Sequence, residues 1–203
     1  MIYLHRANSL ADIQKAIELK IGIEVDIRTH LGIPYLSHDP IISPSDCLAV
    51  LDLVKIIEIF KIPTILDFKE SGIIPHTLKY LNSKDHYIAT DLIYPDQLVC
   101  KAVGLRTLSR NSPWEQIKDT AYGGFWVDYL FDSAEFKTRQ LWKNCCWGEG
   151  LYLKYLVSPE LHKQPLTQSY ISEAYKCKFD GICTDFPEMW IYGKEKETIK
   201  GTT

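Results

Sequence analysis

The chain lacks any apolar run of membrane-spanning length, which leaves no candidate transmembrane helix. Its opening residues, Met1-Ile-Tyr-Leu-His-Arg, have no basic region followed by a long apolar stretch, so they do not read as a secretory signal. There is no C-x-x-C pair, and the six cysteines at 47, 100, 145, 146, 177 and 183 follow no regular spacing. A disulfide scaffold and a structural zinc site are therefore not expected, and free thiols in a reducing cytoplasm are. Excess positive charge is missing too. A net charge of −3 and a pI near 6.1 offer no bulk attraction for nucleic acid. No Gly/Ser linker divides the 203 residues. One domain over 1–192 is expected, followed by a polar, frayed tail over 193–203.

What is present is an alternation of short apolar runs with helical patterns. Strands are read at Ile2–Leu4, Gly22–Arg28, Ile62–Phe68, His86–Thr90, Leu105–Ser109, Gly123–Asp128, Leu151–Val157 and Gly181–Thr184. A short arm over Gly32–Ser37 follows the second of them. Between them, apolar residues at helical spacing predict helices from a cap at Asn8 or Ser9 to about Lys20, from Ser43-Pro44 to about Phe60, and over Ile73–Leu81 and Pro95–Val103. Further helices are read over Pro113–Thr120, Ser133–Asn144 and Thr167–Lys176. About eight strands alternating with helices predict parallel βαβ units, which close as a compact α/β (β/α)8 TIM barrel. A doubly wound open sheet is the alternative, disfavoured because no Gly-rich phosphate loop follows the first strand.

The stretch Gly22–Pro40, GIEVDIRTHLGIPYLSHDP, carries the densest chemistry. Residues two apart on a strand share a face, so Glu24 and Asp26 project together. Side by side on an inner face they repel, and need a cation, a proton or a basic partner. On an outer face they would simply meet solvent. The barrel reading favours the inner face, because its C-terminal strand ends form one rim. His5-Arg6 ends strand one, His38 lies beyond strand two, and Asp67 and Lys69 end strand three. Asp91, Arg110 and Asp128 also fall at strand ends, and are read as ordinary loop residues. Three carboxylates without sulfur suit a hard divalent cation, Mg²⁺ or Ca²⁺. Two histidines suit an acid/base pair, and Arg6 and Lys69 can neutralise a phosphate oxyanion. Together they point to phosphodiester cleavage.

The order His5-Arg6, Glu24-x-Asp26, His38-Asp39 and Asp67-Phe-Lys69 resembles the glycerophosphodiester phosphodiesterase family. This is a set of TIM barrels within the phosphatidylinositol-phospholipase-C-like superfamily. Val157-Ser-Pro-Glu160-Leu and Gly181-Ile-Cys-Thr184-Asp185-Phe-Pro187 resemble its last two strands. The resemblance implies His5 and His38 as the acid/base pair, and Glu24, Asp26 and Asp67 as ligands of one divalent cation. It implies Arg6 and Lys69 as phosphate contacts; Trp126 is a candidate for lining the substrate pocket, though a core position fits it better. The substrate implied is a small-molecule or lipid-head-group phosphodiester. The alternatives are a silent barrel that binds a phosphorylated ligand or partner, and a sphingomyelinase-D-like lyase that releases a cyclic phosphate. Two departures stand out. Relatives usually carry Glu where this chain has Asp67, and usually insert a small subdomain where only 28 residues separate His38 from Asp67.

Overall fold

The computed structural model describes residues 1–111, 123–128 and 152–200, with side chains to 193. The expected helices over 113–120 and 133–144, with Cys145 and Cys146, lie outside the described residues. The strands are β1 (Ile2–Leu4), β2 (Gly22–His30), β3 (Ile33–Leu36), β4 (Thr64–Phe68), β5 (Tyr87–Thr90), β6 (Arg106–Asn111), β7 (Gly123–Val127), β8 (Leu153–Val157) and β9 (Gly181–Thr184). The helices are α1 (Leu10–Leu19), α2 (Val50–Phe60), α3 (Ile74–Leu78), α4 (Tyr94–Ala102), α5 (Gln168–Lys176) and α6 (Pro187–Lys200). Strand order runs β1-β9-β8-β7-β6-β5-β4-β2, and β1 pairs in parallel with β2, so eight parallel strands close a barrel. The barrel expected from the alternation is what forms, and the open sheet is excluded by the β1–β2 seam.

β3 stands outside the ring. It pairs antiparallel with the outer end of β2, from Ile27↔Leu36 to His30↔Ile33. Leu31 and Gly32 turn this hairpin with positive φ values of 51° and 77°. The hairpin prolongs β2 beyond the rim and returns the chain to it at His38.

The helix expected to start at Ser43-Pro44 does not. Pro44–Asp46 forms a single 3₁₀ turn, and α2 begins at Val50. The intervening backbone is drawn out to pair with β3, by Leu36 N–H donating to Leu48 O at 2.8 Å and by a Tyr35↔Ala49 bridge. At the other end, α6 continues to Lys200, into the segment read as a polar tail.

Two apolar layers hold the barrel. Outside it, Ile23, Val25 and Ile27 of β2 meet Ile13 and Ala16 of α1 and Leu53 and Ile57 of α2. Phe125 of β7, Leu156 of β8 and Ile182 of β9 meet Ile171 of α5 and Trp190 of α6. Inside it, Tyr3, Ile65, Ile88, Leu108, Trp126, Tyr155 and Cys183 fill the bore, one from each of seven strands. The bore is a packed core, as side-chain alternation requires. Trp126 is part of it, at 6% exposure. The Tyr3 and Tyr155 hydroxyls meet at 3.3 Å.

Gly181 is dictated by this packing. A Cβ there would run into the Tyr155 ring and lie 3.0 Å from Tyr3 Cε2. Gly181→Ala is expected to cost about 1–3 kcal/mol through overpacking, read as a lower urea midpoint with an unchanged slope. A midpoint equal to the parent's would show that the bore has slack.

Candidate active site at the barrel mouth

The alternation that points Tyr3, Ile65, Trp126, Tyr155 and Cys183 into the bore carries the next inward residues to the C-terminal rim. These are His5, Asp67, Asp128, Val157 and Asp185. On β2 both Glu24 and Asp26 face inward, with Ile23, Val25 and Ile27 outward. Register places Asp26 beside Asp67 on the neighbouring strand. One oxygen from each of Glu24, Asp26 and Asp67 falls within 4.8 Å of the others, and all three residues are buried. Spaced along one strand, the first two carboxylates start about 7 Å apart; their side chains lean together towards Asp67.

The chain entering α1 braces this cluster. Arg6, at φ 49°, turns its N–H onto Glu24 Oε2 at 2.7 Å. Asn8 grips Asp26 twice: its Nδ2 donates to Oδ2 at 2.7 Å, and its Oδ1 accepts from the Asp26 N–H at 3.0 Å. Ser9 then caps α1 by accepting from Asp12 N. Lys69 Nζ lies 2.6 Å from Asp67 Oδ2 and 3.0 Å from Asp26 Oδ1. Arg6 Nε reaches Asp26 Oδ2 only at 3.9 Å.

The cluster is short of positive charge. Among the described residues, three carboxylates face one close ammonium, and Glu24 Oε1 and Asp67 Oδ1 are buried without a hydrogen-bond partner. Asp26 Oδ1 faces Lys69 without hydrogen-bond alignment. Burial, then Asp67 and Asp26, hold the Glu24 carboxyl well above its ordinary range. Burial and Asp91 push Asp67 up to about 6, against the pull of Lys69. Burial pulls Lys69 down, but Asp67 and Asp26 outweigh it and the ammonium is held more firmly than usual. Buried, orphaned, mutually repelling oxygens are the donor set a hard divalent cation takes, so Glu24, Asp26 and Asp67 fit one.

Both expected histidines reach the rim. His5 Nδ1 lies 2.9 Å from Asp185 Oδ1. A carboxylate oxygen only accepts, so Nδ1 donates and Nε2 is the ring nitrogen turned away from Asp185. His38 is delivered by the hairpin: Ser37 N–H donates to Asp26 O at 3.0 Å, and Arg28 Nε donates to His38 O at 2.8 Å. Its Nδ1 lies 2.9 Å from Asp39 Oδ1. Trp126 sits lower, in the bore beneath the rim.

Two groups escaped the sequence reading. One is Glu160, in the V-S-P-E-L motif. Its Oε1 accepts from Asp185 N at 3.2 Å and from the Thr184 hydroxyl, and its Oε2 accepts from Ser158 Oγ. Trp190 Nε1 donates to that same Ser158 oxygen at 3.1 Å. Glu160 thereby pins the residue that pairs with His5. The other is a chain of ion pairs. Asp91, Arg110 and Asp128, read as loop residues, are linked across the mouth: Arg110 Nη2 to Asp91 Oδ1 at 2.5 Å, and Arg110 Nε to Asp128 Oδ2 at 3.8 Å. Asp128 Oδ1 also meets His162 Nε2. The inward turn at each strand end makes this correction: these side chains point across the rim rather than into solvent.

A closed parallel barrel with a buried cluster of three acids at its mouth defines the fold and the candidate site. No protein-family model and no curated protein matches the chain. Solved structures do. A glycerophosphodiester phosphodiesterase from Parabacteroides distasonis ATCC 8503 aligns with TM-score 0.71 at 12% identity, over 97% of this chain and 98% of that one. One from Agrobacterium tumefaciens str. C58 aligns with TM-score 0.66 at 9% identity, over 96% and 98%. A glycerophosphoryl diester phosphodiesterase of provisional assignment from Silicibacter pomeroyi DSS-3 aligns with TM-score 0.70 at 9% identity, over 97% and 93%. At these identities the likeness establishes a shared fold over nearly the whole chain.

Proposed function

We propose that the protein is a metal-dependent phosphodiesterase that cleaves a glycerophosphodiester or a related phosphodiester at the barrel mouth. The observation that carries this reading is the buried cluster of Glu24, Asp26 and Asp67, with oxygens on Glu24 and Asp67 that have no partner among the described residues. The shared fold with phosphodiesterases of solved structure supports it.

Glu24, Asp26 and Asp67 would hold one Mg²⁺ or Ca²⁺. Such a cation supplies stabilisation of the charge that builds on the phosphoryl oxygens. Lys69 and Arg6 contact the remaining phosphate oxygens. One of the two histidines, His5 or His38, takes the proton from a substrate hydroxyl beside the phosphate. That oxygen attacks phosphorus, and the P–O bond to the leaving alcohol breaks. The other histidine hands its proton to the departing oxygen, so the alcohol leaves neutral. The cyclic phosphate that results is opened by water with the proton roles reversed. Asp185 and Glu160 keep the His5 ring oriented throughout.

The test is phosphorus NMR of a glycerophosphodiester incubated with the protein and Mg²⁺ or Ca²⁺. A linear glycerol phosphate is expected, with loss of turnover on adding a chelator and recovery on restoring the ion. A persistent five-membered cyclic phosphate would make the enzyme a lyase. No cleavage with either ion would contradict the reading.

No helix among the described residues is long and apolar enough to cross a membrane. The substrate is taken as a small-molecule diester or a lipid head group.

A further inference from the structure

The two histidines at the mouth are braced in different ways. His5 is held through its ring: Nδ1 donates to Asp185 Oδ1, and Glu160 pins Asp185 by its N–H. The ring partner of His38 is its own chain neighbour Asp39, whose side chain is 88% exposed. A pair so open to water holds a ring weakly. We propose that Arg28 and Glu70 are positioning residues for His38, acting through its main chain and tying it to the loop that carries Lys69. This rests on the phosphodiesterase reading of the same mouth and adds two residues to it.

Three features carry the assignment. The first is placement. Arg28 lies two residues beyond Asp26 on β2, so alternation puts it on the face that carries Glu24 and Asp26. Pairing of β2 with β4 ends at Ile27↔Phe68, so Arg28 stands at the rim, where the hairpin rises above the barrel.

The second is reach. One guanidinium spans two segments far apart in sequence: Nε donates to His38 O at 2.8 Å, and Nη1 donates to Glu70 Oε1 at 3.2 Å. Glu70 is fixed in turn by its other oxygen. Its Oε2 accepts from Thr29 Oγ1 at 2.9 Å and from Thr29 N–H at 3.3 Å. A carboxylate engaged at both oxygens, facing a planar fork, has little freedom to swing. Arg28 keeps 19% of its side-chain surface open and Glu70 31%, so water competes less here than at Asp39.

The third is what the clamp joins. Glu70 directly follows Lys69, whose Nζ meets Asp67 and Asp26 and whose N–H donates to Ile27 O at 3.1 Å. His38 belongs to no strand or helix; it opens the stretch between β3 and α2 that the Leu36–Leu48 hydrogen bond closes. The clamp therefore sets where the imidazole stands relative to the acid cluster. A shift of about 1 Å in a catalytic group can cost about 100-fold in rate.

The test uses Arg28→Met, which keeps the apolar stem and removes the fork, with two readouts. Hydrogen exchange needs neither substrate nor metal. Amides of residues 37–39 should exchange about tenfold faster in the variant, while those of β4 and β5 keep the parent's rates. In steady-state kinetics on a glycerophosphodiester, kcat should fall about 10- to 100-fold with KM within threefold. The same substitution made in His38→Ala should change kcat less than twofold, because residues that act as a unit are not additive. Arg28→Lys keeps the charge without the fork, so its kcat should also fall about tenfold; if Arg28→Met does not fold, Arg28→Lys decides. Unchanged exchange at 37–39, an equal fall in both His38 backgrounds, or parental kcat in Arg28→Lys overturns the clamp and leaves the phosphodiesterase reading intact. A parent that cleaves no diester overturns that reading, and the exchange rates then decide the clamp alone.

Discussion

Alanine at His5, or at His38, is expected to lower kcat for a glycerophosphodiester by about 10²- to 10⁴-fold, the usual weight of a positioned acid or base. The geometry makes the effect separable from folding. The His5 ring meets Asp185 at 2.9 Å and keeps 19% of its side-chain surface exposed; the His38 ring meets Asp39 at 2.9 Å and keeps 40%. Neither belongs to the apolar core, so truncation should move stability by only about 0.5 kcal/mol. Steady-state kinetics beside thermal melts check both halves. A variant within threefold of the parent would take that histidine out of proton transfer.

Glu24→Gln is expected to abolish function and stabilise the metal-free fold. Glu24 is buried beside two other acids, and its carboxyl is held well above its ordinary range by burial first and by Asp67 and Asp26 next. Removing its charge relieves that repulsion, while the glutamine carbonyl can still accept from Arg6 N–H. A gain of about 1 kcal/mol raises the melting point of a domain this size by roughly 2–4 °C. Activity should fall about 100-fold or more, since the proposed cation would lose a ligand.

The pH dependence follows from the same cause. A carboxyl whose folded value is raised adds stability below its unfolded value and loses it as pH climbs through the folded one. Asp67, ordinarily near 3.9, stands at about 6. The contribution of this cluster to metal-free stability should therefore decline from about pH 4 to above pH 6. The difference between parent and Glu24→Gln melting points should widen over that range. A variant that melts lower than the parent at pH 7 without metal would contradict this account.

Much of this site could be read without coordinates, because two simple periodicities locate it. Alternation on β2 puts Glu24 and Asp26 on one face, and the parallel barrel gathers strand ends at one rim. Local signals also narrowed the α1 cap to Asn8 or Ser9, of which Ser9 caps it, and found the arm that delivers His38. What escaped was non-local. Ser43-Pro44 has the chemistry of a helix start, yet pairing of Leu36 with Leu48 holds the following backbone extended, and α2 waits until Val50. Asp91, Arg110, Asp128 and His162 come from different strands and loops, so no short motif announces their pairing. Asp91 takes a positive φ of 57°, which a sequence does not display for an aspartate. Glu160 was visible only as part of a softer motif, and its hold on Asp185 needed the β8–β9 pairing to be known.

The most direct measurement is a calorimetric titration of the metal-free protein with Ca²⁺ or Mg²⁺ at pH 7.5, repeated on Glu24→Gln. One equivalent should bind the parent, and the affinity should drop tenfold or more in the variant. At pH 5.5 the parent's affinity should weaken, by up to about tenfold per pH unit for each proton the cation displaces. Absence of saturable binding, or equal binding by parent and variant, would contradict a cation held by Glu24, Asp26 and Asp67.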